Sequence, residues 1–403
     1  MTIESPAVEE PQLTVLAGPM SSLLRGRFLR YFIPLLLVPV FGLAALIRGD
    51  NLLLPFRPIV TLEGDFGSKG DLFRDEEIQR ILMRHHLRVH STVSSSREIA
   101  VNEINQYDFV FPSGQPAAEL IMARRRAANL YATVYHPFVS PIVIATFRQY
   151  ALTLFDNGIV KPQRKTGDQL YYNIDMKKFL ALVRERRSWD DVGIKKHGAP
   201  NGNNVLTHIS NMCETNSAGT YMGLVAFVEN GENAVENGQE AEALAKKIKP
   251  LLTNLGLTAP KEIFTPYIAP EGMGITPLAV VYEHQYLTYQ LDRQARLGRP
   301  DLERVLLYPS PHFVTQPELI SLNDKGDRLG ELITRDPEMR RREAELGYRL
   351  LDSPGAPPGE ELAKLLTTRH LPVPATGADN TRTLLPRVED LERMIKIIGG
   401  CEK

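Results

Sequence analysis

Serine hydroxyls recur beside small, flexible residues at three places in the first third of the chain. Ser68 and Lys69 lie in the segment GSKG, Ser95 and Ser96 in the run SSS, and Ser113 in PSG. A serine hydroxyl both donates and accepts hydrogen bonds, and a neighbouring glycine lets other backbone approach closely. Hydroxyls and N–H groups at the start of a helix favour an anion or a polar oxygen. These segments therefore predict a binding site for a small polar or anionic molecule.

A fourth segment of this kind, CETNSAGTYMG, begins at Cys213. Asn216 or Ser217 is expected to cap a following helix, and Gly219 would let a ligand reach backbone N–H groups. The alternative interpretation for all four segments is structural, because serine is an ordinary helix cap and glycine an ordinary turn residue. Their recurrence at equivalent places favours a shared site, but the segments alone leave both interpretations open.

The elements that would position these loops alternate between strand and helix. Strands are predicted at 58–63, 87–93 and 107–111, and helices at 71–85, 96–105 and 115–128. Such alternation with short links predicts an α/β fold with a parallel, doubly wound sheet. Ligands of such sheets bind beyond the carboxyl ends of the strands, which is where the three serine segments lie. The apolar run at 139–146 is expected to cross from one lobe to another.

The N-terminal region contains an uncharged apolar run, Tyr31–Ile47, with arginines mainly on its N-terminal side. Its length is close to the minimum for a membrane-spanning helix, so residues 29–48 are predicted to form a transmembrane helix or signal anchor. The arginine bias places residues 1–28 in the cytoplasm and the rest of the chain outside, as a single-pass cell-membrane protein. The alternative is a cleaved signal peptide, with a cleavage site near Gly42.

Composition excludes several classes of function. The formal net charge is −1, which does not indicate nucleic-acid binding. The two cysteines, Cys213 and Cys401, are too few for a metal site, although they are free to pair in an oxidising compartment. The sequence has no nucleophile elbow, no HExxH motif and no Walker loop. We therefore expect neither an enzyme nor a bound cofactor or metal.

The order of several segments resembles the type II periplasmic-binding-protein superfamily, in particular its molybdate-binding-like extracellular solute-binding branch. The matching segments are GSKG, SSSREIA, YDFVFPSG, TNSAGTYMG and LAVVYEHQ, followed by residues 305–309, 316–322, 336–339 and 345–349. The resemblance covers the chain from about residue 58 to residue 349. It implies a two-lobed, Venus-flytrap architecture, with residues 57–147 and 305–350 in lobe one, 148–304 in lobe two, and 351–403 as a C-terminal linker and helix. The apolar stripe of Val388, Leu391, Met394 and Ile398 predicts an amphipathic helix from Leu384 to Ile398, which would pack on its own chain or, alternatively, on a partner.

The resemblance also implies roles for individual residues. Ser68 and Ser95 would contact the ligand from lobe one, and Ser217 with the N–H of Gly219 from lobe two. Tyr282 or Glu283 would line the wall next to the hinge. The complete set of candidate ligand-binding residues is Ser68, Lys69, Ser95, Ser96, Ser113, Asn216, Ser217, Gly219, Tyr282 and Glu283.

The function that follows is that of a membrane-anchored extracytoplasmic solute-binding protein. It would capture a small polar or anionic solute between its lobes for a transporter permease. The alternative is a membrane-tethered sensory or protein-interaction module that uses the same fold to hold a partner.

Overall fold

The computed structural model describes residues 58–67, 70–165, 167, 169–253, 262–351, 359–375 and 382–401. The chain divides into two units, Met1–Pro58 and Ile59–Lys403, and the description below concerns the second. The predicted transmembrane helix at 29–48 and the candidates Ser68 and Lys69 lie outside the described residues. Within the described ranges, no helix has both the length and the apolar character needed to cross a bilayer.

The first sheet carries the serine segments. Its strands are β1 (Val60–Phe66), β2 (Leu87–Val93), β3 (Phe109–Phe111), β4 (Thr133–Tyr135) and β11 (Leu319–Ser321), in the order β2-β1-β3-β11-β4. The pairings of β1 with β2 and β3 are parallel, as predicted, whereas β11 is antiparallel to both its neighbours. The sheet is therefore mixed, because β11 arrives from a distant part of the chain. Together with its helices, this sheet is called lobe one.

The helices of lobe one mostly follow the predicted alternation. They are α1 (Asp71–Arg74), α2 (Glu76–Arg84), α3 (Ser96–Val101) and α4 (Gln115–Ala127), with α12 (Asp324–Arg335) and α13 (Pro337–Glu345) added later in the chain. The helix predicted at 71–85 is interrupted at Asp75, whose carboxylate accepts hydrogen bonds from the N–H groups of Glu77 and Ile78. Asp75 thus caps a new helix instead of continuing the first one.

One strand, β5 (Phe138–Phe147), joins the two halves of the molecule, and all ten of its residues are buried. Phe138 packs into the core of lobe one, whereas Ile142 and the following residues belong to a second core. The predicted crossing at 139–146 is therefore confirmed. Because each core has its own sheet, the molecule is a two-lobed α/β protein.

The second sheet and its helices, called lobe two, follow β5. The remaining strands are β6 (Val160–Pro162), β7 (Tyr171–Asp175), β8 (Leu278–Tyr282), β9 (Arg304–Ser310), β10 (Val314–Thr315) and β12 (Arg349–Leu350). The helices are α5 (Arg148–Asp156), α6 (Met176–Arg184), α7 (Asn216–Glu229), α8 (Gly238–Leu252), α9 (Phe264–Ile268), α10 (Gly272–Ile275) and α11 (Glu283–Leu297), with a 3₁₀ turn at Ile194–His197. Helix α7 is central, since every residue from Ala218 to Val228 is buried.

Two helices complete the chain, α14 (Glu360–Thr368) and α15 (Val388–Gly399). The final amphipathic helix is predicted from Leu384 but begins at Val388, and its buried face consists of Asp390, Leu391, Met394, Ile395 and Ile398. The apolar members of this face belong to the same core as α7 and α8. The prediction that this helix packs on its own chain is therefore confirmed.

Candidate functional site

The carboxyl ends of β1 and β3 meet the start of α3, as the alternation predicts. The N–H of Gly67 donates to the carbonyl of Phe111 over 3.1 Å. The N–H of Ser113 donates to Ser96 Oγ over 3.0 Å, and both serines are buried. The structure thus brings Ser96 and Ser113 together, with their hydroxyls beside Gly67.

Ser95 is used as a helix cap. Its hydroxyl accepts the Glu98 N–H at 3.1 Å, and the Glu98 carboxylate accepts the Ser95 N–H at 2.7 Å. This reciprocal capping box stabilises the first turn of α3. The structural interpretation of Ser95 therefore has direct support, because a ligand would compete with Glu98 for its hydroxyl.

Asn216, the first residue of α7, lies where the lobes touch. Its Nδ2 donates to Tyr282 Oη over 3.2 Å and to Thr220 Oγ1 over 3.3 Å. A Cβ at Gly114 in lobe one would lie 2.4 Å from the same nitrogen, so only glycine permits this approach. The candidates Asn216 and Tyr282 therefore lie together, directly against the PSG segment.

Two helices begin at this contact without a side-chain cap. Helix α4 of lobe one starts after Gly114, and α7 of lobe two starts after Thr215; neither helix receives a capping hydrogen bond from a side chain. Uncapped helix starts present backbone N–H groups and the positive end of the helix dipole. Two such ends, one from each lobe, favour negative charge or polar oxygen between them.

Ser217 and Gly219 lie near this contact but have other partners. Ser217 Oγ is 3.1 Å from Ser210 Oγ, which is 2.7 Å from Thr215 Oγ1, so these hydroxyls form a chain within lobe two. A Cβ at Gly219 would lie 3.1 Å from Ile395 Cδ1. The glycine therefore allows α15 to lie close against α7.

Glu283 is fully buried at the junction of β8, β9 and β12. Arg349 donates from Nε to Glu283 Oε2 over 2.5 Å and from Nη2 to Oε1 over 2.8 Å, and Tyr308 Oη donates to Oε1 over 2.5 Å. Burial, together with the neighbouring Glu283 carboxylate, raises the pKa of Tyr308 well above its ordinary value. The Glu283 carboxylate is therefore engaged by protein groups within the interior.

The sequence analysis did not identify Asp65, a buried carboxyl at the end of β1. Ser94 Oγ donates to Asp65 Oδ2 over 2.9 Å, while Oδ1 has no hydrogen-bond partner in the described part of the chain. Burial raises the pKa of Asp65, although the hydrogen bonds from Ser94 oppose this effect. Its place two residues before the first serine segment was the available sequence indication.

The space left between the lobes is small and is covered by the C-terminal helix. The cavity measures about 20 Å³, roughly the room needed for one water molecule. Lobe one contributes Arg97 and Leu120 to its walls, lobe two contributes Asn216 and Gly219, and α15 contributes Glu392 and Ile395. At this cavity, both lobes and α15 are therefore in close contact.

An ion pair and a disulfide are among the contacts that hold α15 in place. Glu392 forms an ion pair with Arg97 of lobe one. Cys401, directly after the helix, forms a disulfide with Cys213 of lobe two, with an S–S distance of 2.07 Å and a Cα–Cα distance of 5.5 Å. The sequence left open whether these cysteines pair, and the structure joins them. Among the described residues, no cluster of His, Cys, Asp and Glu side chains could hold a metal ion.

Comparison with known proteins gives structural likenesses only. No family model matches the chain, and no curated protein matches it. The sulfate-binding protein SubI from Mycobacterium tuberculosis is 13% identical, with 83% of this chain and 96% of that chain covered and a TM-score of 0.44. Iron-bound HitA from Pseudomonas aeruginosa is 11% identical, with 84% of this chain and 99% of that chain covered and a TM-score of 0.46. The periplasmic binding protein AfuA from Actinobacillus pleuropneumoniae, with fructose-6-phosphate bound, is 10% identical, with 84% of this chain and 97% of that chain covered and a TM-score of 0.49. At these identities and TM-scores, the likenesses carry no argument about what this chain binds.

Proposed function

We propose that the protein captures a small polar or anionic solute between its two lobes and delivers it to a transporter permease. The observation that carries this proposal is the pair of helix starts without side-chain caps, one from each lobe, that come close together where Gly114 meets the side chain of Asn216. A solute oxygen held between them would satisfy N–H groups of both helices. Binding would thus be coupled to the approach of the lobes, which is how a two-lobed binder traps its ligand.

The cavity under α15 has no room for a solute larger than water. A solute held between Gly114 and Asn216 would need this close contact between the lobes to open. The crossing strand β5 and the junction around Glu283 are the places where such an opening would bend the molecule. Asp65 adds a carboxyl near the serine segments, and it would suit a solute that also carries a hydrogen-bond donor.

The proposal places the two-lobed unit outside the cytoplasm and attached to the membrane. The apolar run Tyr31–Ile47 supports an anchor or a signal sequence, and its flanking arginines favour a cytoplasmic N-terminus. The Cys213–Cys401 disulfide supports an oxidising compartment. Limited proteolysis of intact cells or spheroplasts tests this: external protease should cleave the two-lobed unit, and protection in intact spheroplasts would contradict the assignment.

Ligand capture is tested by thermal unfolding of the full chain with a panel of oxyanions, sugars and amino acids. A solute that binds the folded state raises the melting temperature with the logarithm of its concentration. Ser217→Asp places a like charge beside the start of α7, so it should abolish a shift caused by an anion. Asn203→Asp, which adds the same charge at an exposed position, is the control. An unchanged shift in Ser217→Asp would remove this loop from the site.

A second candidate function is a membrane-tethered sensory or protein-interaction module. The filled cleft favours it, because α15 already occupies the entrance from which a solute would come. Absence of a melting shift with every member of the panel would favour this module over solute capture.

A further inference from the structure

Arg97 is a cationic side chain in the wall of the cavity under α15. It follows the serine run at the start of α3, and its side chain is 18% exposed. It lines the cavity between the lobes together with Asn216 of lobe two. Its position would therefore allow it to meet a solute that enters between the lobes.

The guanidinium is already paired with an acid from the same chain. The Glu392 carboxylate bonds to Arg97 Nη2, and the glutamate side chain is 27% exposed. A carboxylate of this kind has the charge and the oxygen geometry of many small anions that arginine binds. Glu392 thus places an anionic group at the cleft in the same way as a bound ligand would.

The helix that carries Glu392 is attached differently to the two lobes. On lobe two, Leu391 and Ile395 pack into the core and the disulfide fixes the end of the helix. Towards lobe one, the ion pair with Arg97 is the charged link, and α15 also lies near α4. Separation of the lobes would therefore break the Arg97–Glu392 pair while α15 stays tethered to lobe two.

We infer that α15 is a displaceable internal ligand: Glu392 occupies, at Arg97, the place of an anionic group of the solute. This inference rests on the proposed capture function and deepens it. It assigns Arg97 to solute recognition and restricts the solute to molecules with a carboxylate, phosphate or sulfate group. It also makes binding competitive with the Arg97–Glu392 pair, so formation of this pair weakens capture.

Isothermal titration of the full chain tests the inference with succinate, inorganic phosphate and inorganic sulfate as probes. Glu392→Gln keeps the size of the side chain but removes the competing charge. We expect its Kd for at least one probe to fall by about tenfold relative to the wild type. Glu389→Gln, on the same helix with an exposed side chain, is the matched control and should leave the Kd unchanged.

The double variant Arg97→Gln/Glu392→Gln should not show the lower Kd of Glu392→Gln, because it lacks the guanidinium that binds the anion. Hydrogen exchange provides a second measurement: a saturating probe should accelerate exchange at 388–399 in the wild type. Equal Kd values for wild type and Glu392→Gln overturn the inference and leave solute capture intact. If neither protein binds these probes or any solute of the panel, both the inference and the capture function fail.

Discussion

The Glu283 carboxylate connects three segments that are remote in the sequence. It accepts hydrogen bonds from Tyr308 on β9 and from Arg349 on β12, and it begins α11 itself. Removing one member of a buried ion pair leaves an uncompensated charge, which is more costly than removing both. We therefore expect Arg349→Met to lower the free energy of unfolding by about 3–5 kcal/mol, measured by urea denaturation.

Arg335→Met is the control for this prediction. Arg335 lies 4.0 Å from Glu331, and both side chains are largely exposed. Solvent-exposed pairs contribute little, so this change should cost less than about 1 kcal/mol. Adding Glu283→Gln to Arg349→Met should recover part of the lost stability. A cost for Arg349→Met no larger than that of the control would contradict a structural role for the pair.

At the residue scale, the sequence predicted where the serine segments lie better than it predicted the partners of individual side chains. The convergence of Ser96 and Ser113 follows from strand–helix alternation, because loops after parallel strands meet at one sheet edge. The partner of Glu283 was not predictable, since Arg349 is 66 residues away. The Arg97–Glu392 pair was not predictable for the same reason, since 295 residues separate its members. The ligand-binding roles themselves stay predictions.

At the element scale, α15 depends on its covalent link as well as on its apolar face. The disulfide closes a sequence separation of 188 residues and joins the end of α15 to the loop before α7. Loss of such a link typically costs about 2–5 kcal/mol. Cys401→Ser should lower the unfolding free energy by that amount and accelerate hydrogen exchange at 388–399.

Cys213→Ser provides the internal comparison, because it removes the same bond from the other end. The two single variants and the double variant should show equal exchange at 388–399. Exchange in Cys401→Ser as slow as in the oxidised wild type would mean that packing of Leu391, Met394 and Ile398 alone holds the helix in place.

The type of an element, helix or strand, was predictable where the hydrophobic residues followed a clear period. The predicted ends of helices were wrong where a side chain capped the backbone at an unexpected position. The amphipathic stripe predicted α15, but the Asp75 cap divided the helix expected at 71–85. Strand β11 pairs antiparallel with β3, which lies far earlier in the chain. No local pattern contains that pairing.

At the scale of the whole molecule, several carboxyl groups have a raised pKa in the folded state. Burial, with a smaller effect of Glu119, raises the pKa of Glu318 from 4.5 to about 7, and burial also raises those of Asp65 and Glu343. At these carboxyls the folded state holds protons that the unfolded chain releases. The contribution of Glu318 to stability is consequently lost as the pH rises from about 4.5 to about 7, whereas His136 and His208, whose pKa values burial lowers, act in the opposite direction.

Glu318→Gln tests this dependence. Without the ionisable group, urea unfolding of the full chain at pH 5 and pH 8 should show a smaller loss of stability. The difference from the wild type should be on the order of 1 kcal/mol, because Glu318 is only half-buried and solvent screens it. Glu360→Gln, at an exposed position, should retain the wild-type difference. An identical pH dependence in Glu318→Gln and wild type would contradict the assignment.

The two-lobed architecture was implied by the resemblance, and local patterns predicted two parts of it. Alternating elements predicted the first sheet, and the β-branched run at 139–146 predicted the crossing. The closed state of the cleft was not predictable. It depends on a contact between Gly114 and Asn216 and on a helix that packs back from the far end of the sequence.

Helix α15 follows every other element that the structure describes, and this order has a consequence for biosynthesis. Domains of a growing chain begin to fold as their segments emerge, starting with the earlier ones. Both sheets can therefore assemble while the cleft still lacks its cover, since Glu392 and Cys401 emerge after all of the strands. The newborn protein would pass through an uncovered stage, and the helix would cover this region only after the strands have been synthesised.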